Sequence, residues 1–172
     1  MSRDVLLQDH FVKPGYVYVP AEPTQLRSVA ASGIVVTMYD RRRNLGGMGH
    51  YIRPVRERGL STAVFAAPAL AALTSMFLET GSEIPDLETH FYGGAVNRQA
   101  AGYAPGVSEE NVRVGLEILA KMNIGITSRD VGGERARKIV FHTGTGEIML
   151  AKVEAVRASD WYPALDHFGN HG

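Results

Sequence analysis

His50 is the residue from which chemistry could start. It closes the run Gly46-Gly47-Met48-Gly49-His50. An imidazole can take the proton of a neighbouring hydroxyl or thiol and turn it into a nucleophile. The stretch Ile34-Val35-Val36-Thr37-Met38-Tyr39 is short, apolar and rich in β-branched residues, as a core strand should be. Asp40-Arg41-Arg42-Arg43-Asn44 is a polar connection. Neighbouring strands joined this way return His50 to the Ser32-Gly33 end of the first strand, the arrangement of a nucleophile and its base. What is missing is the nucleophile. Gly33 has no side chain, and the chain contains no cysteine. Ser32 offers a hydroxyl, but adjacent strand residues face opposite ways, so a Gly33 facing His50 turns Ser32 away. A turn serine bonded to its own backbone is the plainer reading.

The elements that must position these residues can be read along the chain. Tyr16-Val17-Tyr18-Val19 alternates as a strand after the Pro14-Gly15 turn, and Pro20 and Pro23 bracket a loop. Residues 26–33 read as a small-residue turn, and the charged residues 55–59 as a solvated loop. Residues 61–80 are Ala-rich, with Leu70, Leu73 and Phe77 at helical spacing; Pro68 kinks this helix or delays its start, and Gly81 caps it. Residues 89–95 read as a strand entering a Gly-Gly turn. Ser108 reads as the N-cap of a second helix, with Val112, Leu116, Leu119 and Met122 as its apolar stripe. A strand over 124–131 and a hairpin over 138–153, turning at Thr143-Gly144-Thr145-Gly146, complete the domain. Residues 155–172 lose periodicity and read as a C-terminal extension to a domain over 1–154. Gly46, Gly47 and Gly49 let backbones approach closely.

Composition bounds what such a domain can do. Its 172 residues suit one domain with a proper core. Eighteen Lys and Arg balance eighteen Asp and Glu, so there is no electrostatic case for nucleic acid. The absence of cysteine excludes disulfides and Cys-type zinc sites. The other histidines, His10, His90, His142, His167 and His171, have no metal-ligand spacing; the last two sit four apart in the extension, with Asp166 as the one carboxylate nearby. Gly93-Gly94 and Gly132-Gly133 lack the Lys or Ser/Thr of a phosphate loop and read as tight turns. The expectation is no metal and no cofactor. The first ten residues lack the apolar core of a signal peptide, and the longest apolar stretch, 63–73, is too short to span a bilayer. A cytoplasmic protein without membrane insertion is expected.

Several of these motifs, in this order, resemble the CheD family, the chemoreceptor glutamine deamidases of bacterial chemotaxis. Gly47-Met48-Gly49-His50 and Pro54 match its Gly-Met-x-His-x-x-x-Pro strand. Phe91-Tyr92-Gly93-Gly94-Ala95 resembles its Phe-Gly-Gly-Ala turn, and Asn111 its Asn at the second helix. Asp130-Val131-Gly132-Gly133, Arg137 and Ile139 resemble its Asp-x-Gly-Gly-x-x-x-Arg-x-Ile motif, ahead of the Thr145-Gly146 hairpin. The ordered set covers roughly residues 12–153. The departure lies at the family's Leu-Gly-Ser-Cys turn, here Ala30-Ala31-Ser32-Gly33: counted back from Asp40, the family cysteine falls on Gly33.

The resemblance implies an α/β (α+β) fold, a layered αββα sandwich of mostly antiparallel sheets with two main helices. It implies glutamine side-chain hydrolysis on chemoreceptors by a cysteine thiolate, with His50 at the family's general-base position and Ser28 or Arg27 at the position of its catalytic threonine. Ser28 keeps that hydroxyl and Arg27 loses it. Without the cysteine, the expected protein is a catalytically impaired relative acting by binding the cytoplasmic domain of a methyl-accepting chemoreceptor. A CheC-like phosphatase is a further partner by analogy. The alternative is a working protein-glutamine amidohydrolase with a replacement nucleophile, and a small-molecule binding domain on the same scaffold is a third reading.

Overall fold

The computed structural model describes residues 7–55, 62–100 and 103–154. The anticipated extension at 155–172, with His167 and His171, lies outside the described residues, as do most of the charged loop at 55–59 and the first six residues. The strands are β1 (Gln8–Phe11), β2 (Val17–Tyr18), β3 (Thr24–Ala30), β4 (Ile34–Asp40), β5 (Leu45–Tyr51), β6 (Leu87–Gly93), β7 (Ser128–Val131), β8 (Ala136–His142) and β9 (Ile148–Val153). The helices are α1 (Ala66–Glu79) and α2 (Val107–Lys121). Two sheets form, in the orders β1-β3-β8-β9 and β2-β5-β4-β6-β7. All pairings are antiparallel except β1 with β3 and β6 with β7. The molecule is an α+β sandwich.

Two apolar layers hold it. Between the sheets, Leu26 and Ala30 of β3 and Ile139 and Phe141 of β8 meet Val35, Tyr39, Met48 and Tyr92. On the other side of the five-stranded sheet, Ile34, Val36, Met38, Tyr51 and Phe91 pack against Leu70, Leu73 and Phe77 of α1 and Leu119 of α2. β4 is buried along its whole length because both its faces are covered, which is why its sequence is a continuous apolar run. Both helices lie on the same side of the five-stranded sheet, and the layer between the sheets contains no helix residue. The glycines of β5 divide between the two layers. A Cβ at Gly46 would meet the Thr143 backbone at 2.7 Å, on the sheet side; one at Gly47 would meet Val19 at 2.5 Å and Phe77 of α1 at 3.2 Å, on the helix side.

Local signals explain most boundaries. Pro68 sits in the first turn of α1, after the N-cap Phe65, where no amide is needed, so it delays the helix start rather than kinking it. α1 ends with Gly81 at φ +96°, its amide bonded to Leu78 and that of Ser82 to Phe77, a Schellman closure. Two expectations are corrected. The small-residue turn begins later than 26, because residues 24–30 form β3: Thr24, Leu26, Ser28 and Ala30 alternate inward, and burial outweighs the weak strand preference of Ala and Ser. Ser108 does not cap α2. Gly106, at φ +80°, takes the N-cap position, and the Ser108 hydroxyl instead donates to the Ala95 carbonyl at 2.7 Å.

Candidate active site

β4 and β5 are antiparallel neighbours in the register Ile34 to Tyr51 and Val35 to His50. Continued by one residue, this sets Gly33 opposite Ile52. Gly33, Val35, His50 and Ile52 therefore share the face that looks toward the four-stranded sheet, and Ser32 takes the other. Ser32 is exposed, while Gly33 and His50 are buried. A Cβ on Gly33 would sit 3.2 Å from His50 Nε2. The same point is crowded by the Tyr51 carbonyl oxygen at 2.7 Å and Ile52 Cγ2 at 2.8 Å.

The opposite edge of the imidazole meets β3. Ser28 Oγ lies 3.0 Å from His50 Nδ1 and 2.7 Å from the Val12 carbonyl oxygen. A carbonyl can only accept, so the hydroxyl donates to Val12 and its oxygen is left to accept from Nδ1–H. That assigns the tautomer: Nδ1 carries the proton, and the Nε2 lone pair points to the side where Gly33 lies. Burial drives the His50 pKa down to about 3, against the opposing pull of the Val12 carbonyl, so the ring is neutral at physiological pH. A neutral imidazole with its lone pair turned toward the reacting position is the form a general base requires. Of the two residues left open for the threonine position, Ser28 faces inward to His50. Arg27 faces out, half-exposed, with Nε 3.0 Å from Asp9.

The rim around Gly33 is fastened by backbone and side chain. The Gly94 amide donates to the Gly33 carbonyl at 3.0 Å, and that of Ala95 to the Ala31 carbonyl at 2.8 Å. Gly93, at φ +131°, must be glycine because a Cβ there would collide with the Gly33 carbonyl. From α2, Asn111 Nδ2 donates to the Ser32 carbonyl at 2.9 Å and the Ile52 carbonyl at 3.0 Å. The place of Asn111 at the rim and the Val12 carbonyl behind Ser28 were not read from sequence. A buried Asn near the start of a helix, where its amide competes with the helix backbone, is the signal that could have pointed to the first. A backbone carbonyl leaves no such signal.

Among the described residues, the other histidines stand apart from this site. His10 packs on Tyr18 with ring centroids 4.5 Å apart, and His90 is hydrogen-bonded to Ser128. His142 Nδ1 accepts from the amides of Gly144 and Thr145 in the hairpin turn. The Asp130-Gly-Gly-Arg137 motif makes an ion pair between a buried Arg137 and a partly exposed Asp130 at 2.8 Å, with Lys152 on the same carboxylate at 3.1 Å. It borders a pocket of about 620 Å³ lined by Gly132, Gly133, Glu134, Arg135, Arg137, Lys152 and Glu154. Three cations and two carboxylates line it, and neither Gly33 nor His50 does. No helix among the described residues is long and apolar enough to cross a membrane.

A family model described as CheD chemotactic sensory transduction matches residues 54–152. A relative from Anaeromyxobacter dehalogenans, named as probable chemoreceptor glutamine deamidase CheD 1, is 32% identical over 79% of this chain and 80% of its own length. A probable chemoreceptor glutamine deamidase CheD from Trichlorobacter lovleyi is 29% identical over 85% of this chain and 91% of its own. One from Geobacter sulfurreducens, CheD 2, is 28% identical over 91% and 98%. With a family model matched over more than half its length and such a relative aligned over four-fifths of both chains, this chain belongs to the CheD family.

Proposed function

We propose that this protein is a chemotaxis protein that binds the cytoplasmic domain of a chemoreceptor and is impaired as a glutamine deamidase. Membership of a family whose relatives are named chemoreceptor glutamine deamidases supports the receptor as partner. One observation carries the impairment: the side-chain direction of Gly33 points at His50 Nε2, and no nucleophile stands there. The space a nucleophile needs is also narrowed by the Tyr51 carbonyl and Ile52. In the family's reaction a thiolate attacks the amide carbon, the imidazolium protonates the departing ammonia, and water cleaves the thioester. His50 and Ser28 correspond to the groups that would serve the thiol, and the thiol is missing.

Neither serine supplies a replacement. Ser32 is exposed on the face away from His50. Ser28 is 2% exposed, commits its proton to the Val12 carbonyl, and meets the protonated nitrogen of His50 rather than its lone pair. The test is a pull-down of the purified chain with chemoreceptor cytoplasmic fragments, run beside an ammonia-release assay on the same fragments. Binding without ammonia is the expected result. Ammonia release lost in Ser28→Ala or Ser32→Ala would establish the amidohydrolase reading instead. Including a CheC-like phosphatase as bait tests the further partner.

A further inference from the structure

We propose that Asn111 is a positioning residue that holds position 33 in register with His50, an inference resting on the reading of Gly33 and His50 as the family's active-site positions. The β4–β5 ladder ends at the pair Ile34 and Tyr51, one residue short of Gly33. Beyond that point the two chain ends no longer pair with each other: Gly33 is bonded to Gly94 and Ile52 to Val64. The Asn111 amide bridges them: one Nδ2 donates both to the carbonyl of Ser32, just before Gly33, and to that of Ile52, opposite Gly33. It takes the place of the next rung of the ladder. Asn111 is itself fully buried and is fixed from the strand side, since the Tyr51 hydroxyl donates to its backbone carbonyl at 2.6 Å. Tyr51 in turn fits against α2 only because position 115 is glycine, where a Cβ would collide with the hydroxyl. Ser108, one turn earlier, holds the Ala95 carbonyl, and the Ala95 amide holds Ala31. The first turns of α2 thus reach three backbone carbonyls around Gly33, and Asn111 supplies the two that flank it directly. A shift of these ends would change both the distance from position 33 to His50 and the seal over the imidazole.

The test uses the full chain and the imidazole ¹⁵N signals of His50. In the parent these should not change between pH 8 and pH 5. In Asn111→Ala, or in Asn111→Ser if the first variant does not fold, His50 should begin to titrate inside that window as water reaches the loosened rim. The second arm places a thiol at the rim with Gly33→Cys and measures its pKa from the pH dependence of iodoacetamide alkylation. That pKa should lie below about 8.5, the value for a free cysteine, because a thiolate carried on a Cβ 3.2 Å from His50 Nε2 and the imidazolium stabilise each other against the burial that keeps His50 neutral alone. Adding the Asn111 substitution should return it toward 8.5, with alkylation at pH 7 slowing about tenfold for each unit of change. A folded Asn111 variant whose His50 stays silent, and whose thiol keeps its parent's pKa while the melting temperature falls, would overturn the proposal and leave Asn111 a purely structural residue. A thiol near 8.5 with Asn111 intact counts against the active-site reading instead, and the His50 titration then decides the role of Asn111 alone.

Discussion

Ser28 Oγ and His50 Nδ1 stand 3.0 Å apart across the gap between the two sheets, each on a strand buried by the other sheet. The contact fixes the tautomer of His50, and with it the direction of the one lone pair that could serve a nucleophile at position 33. It also ties the two sheets together with a polar bond inside a mainly apolar layer, where satisfied polar groups are tolerated and orphaned ones are costly.

Removing His50 should therefore be a matter of stability and not of turnover. The parent should release no ammonia from receptor fragments above background, and His50→Ala should leave that background unchanged. The same variant should lose about 2–4 kcal/mol of stability in urea unfolding, from the cavity and from the Ser28 hydroxyl left without its donor. Turnover in the parent that disappears in His50→Ala would contradict the impaired reading.

Gly33→Cys should fold, at a cost. Gly33 does not use the left-handed region of backbone space, so a side chain brings no positive-φ strain there. Its Cβ would nevertheless press on the Tyr51 carbonyl and on Ile52 Cγ2, which calls for a small backbone shift of the kind that costs about 1–3 kcal/mol. Ile52→Ala in the same chain should recover part of that loss, measured by thermal melting. The new thiol should react with iodoacetamide at pH 7 faster than free cysteine, because a thiolate at Nε2 stabilises the imidazolium that burial alone disfavours, so the pair charges together. Recovery of stability without reactivity would mean that the introduced thiol turns away from His50.

Acidification should weaken the fold before the carboxylates titrate. His50 is held neutral in the folded protein, with its pKa at about 3, while an unfolded histidine binds a proton near 6.5. Between those values the unfolded chain binds the extra proton, so stability falls as pH drops from about 6.5, with a limiting slope of about 1.4 kcal/mol per pH unit for one group. His90, partly buried, is also shifted down and adds to the same trend. The pKa of Asp40 is raised by burial and lowered by more through Ser82, the Arg42 amide and Arg43, so it ends below normal and its loss comes at lower pH. Urea midpoints between pH 7 and pH 4.5 should slope less in His50→Gln than in the parent. An unchanged slope would mean that His50 is not held neutral.

The Asp130–Arg137 pair should matter more than the surface pairs. Arg137 is 2% exposed, so Asp130→Asn leaves a buried guanidinium without its counter-charge, which should cost about 2–4 kcal/mol. Glu110→Gln, which breaks an exposed helix pair with Arg113, should leave the denaturation midpoint nearly unchanged. Comparable losses in the two variants, read from denaturation midpoints, would argue that Arg137 is solvated.

The periodicity and punctuation of the chain determined a good deal. The continuous apolar run of β4, the Gly-rich strand carrying His50, the Gly81 closure of α1 and the Thr-Gly hairpin all follow from local chemistry, since each depends on residues within a few positions. The alternation of strand side chains was enough to turn Ser32 away from His50 once Gly33 was taken to face it. Local chemistry could not choose between Arg27 and Ser28, because that depends on which face of β3 meets the other sheet. It missed the strand itself, whose Ala and Ser residues lack strand preference and are held by burial between layers. It gave Ser108 the cap of α2, a role set instead by the distant Ala95 carbonyl that claims the hydroxyl. The tautomer of His50, the crowding at Gly33 and the bridge from Asn111 were decided only in the tertiary structure. Each joins residues from different elements, and its energy exists only once both sheets and α2 are packed against one another.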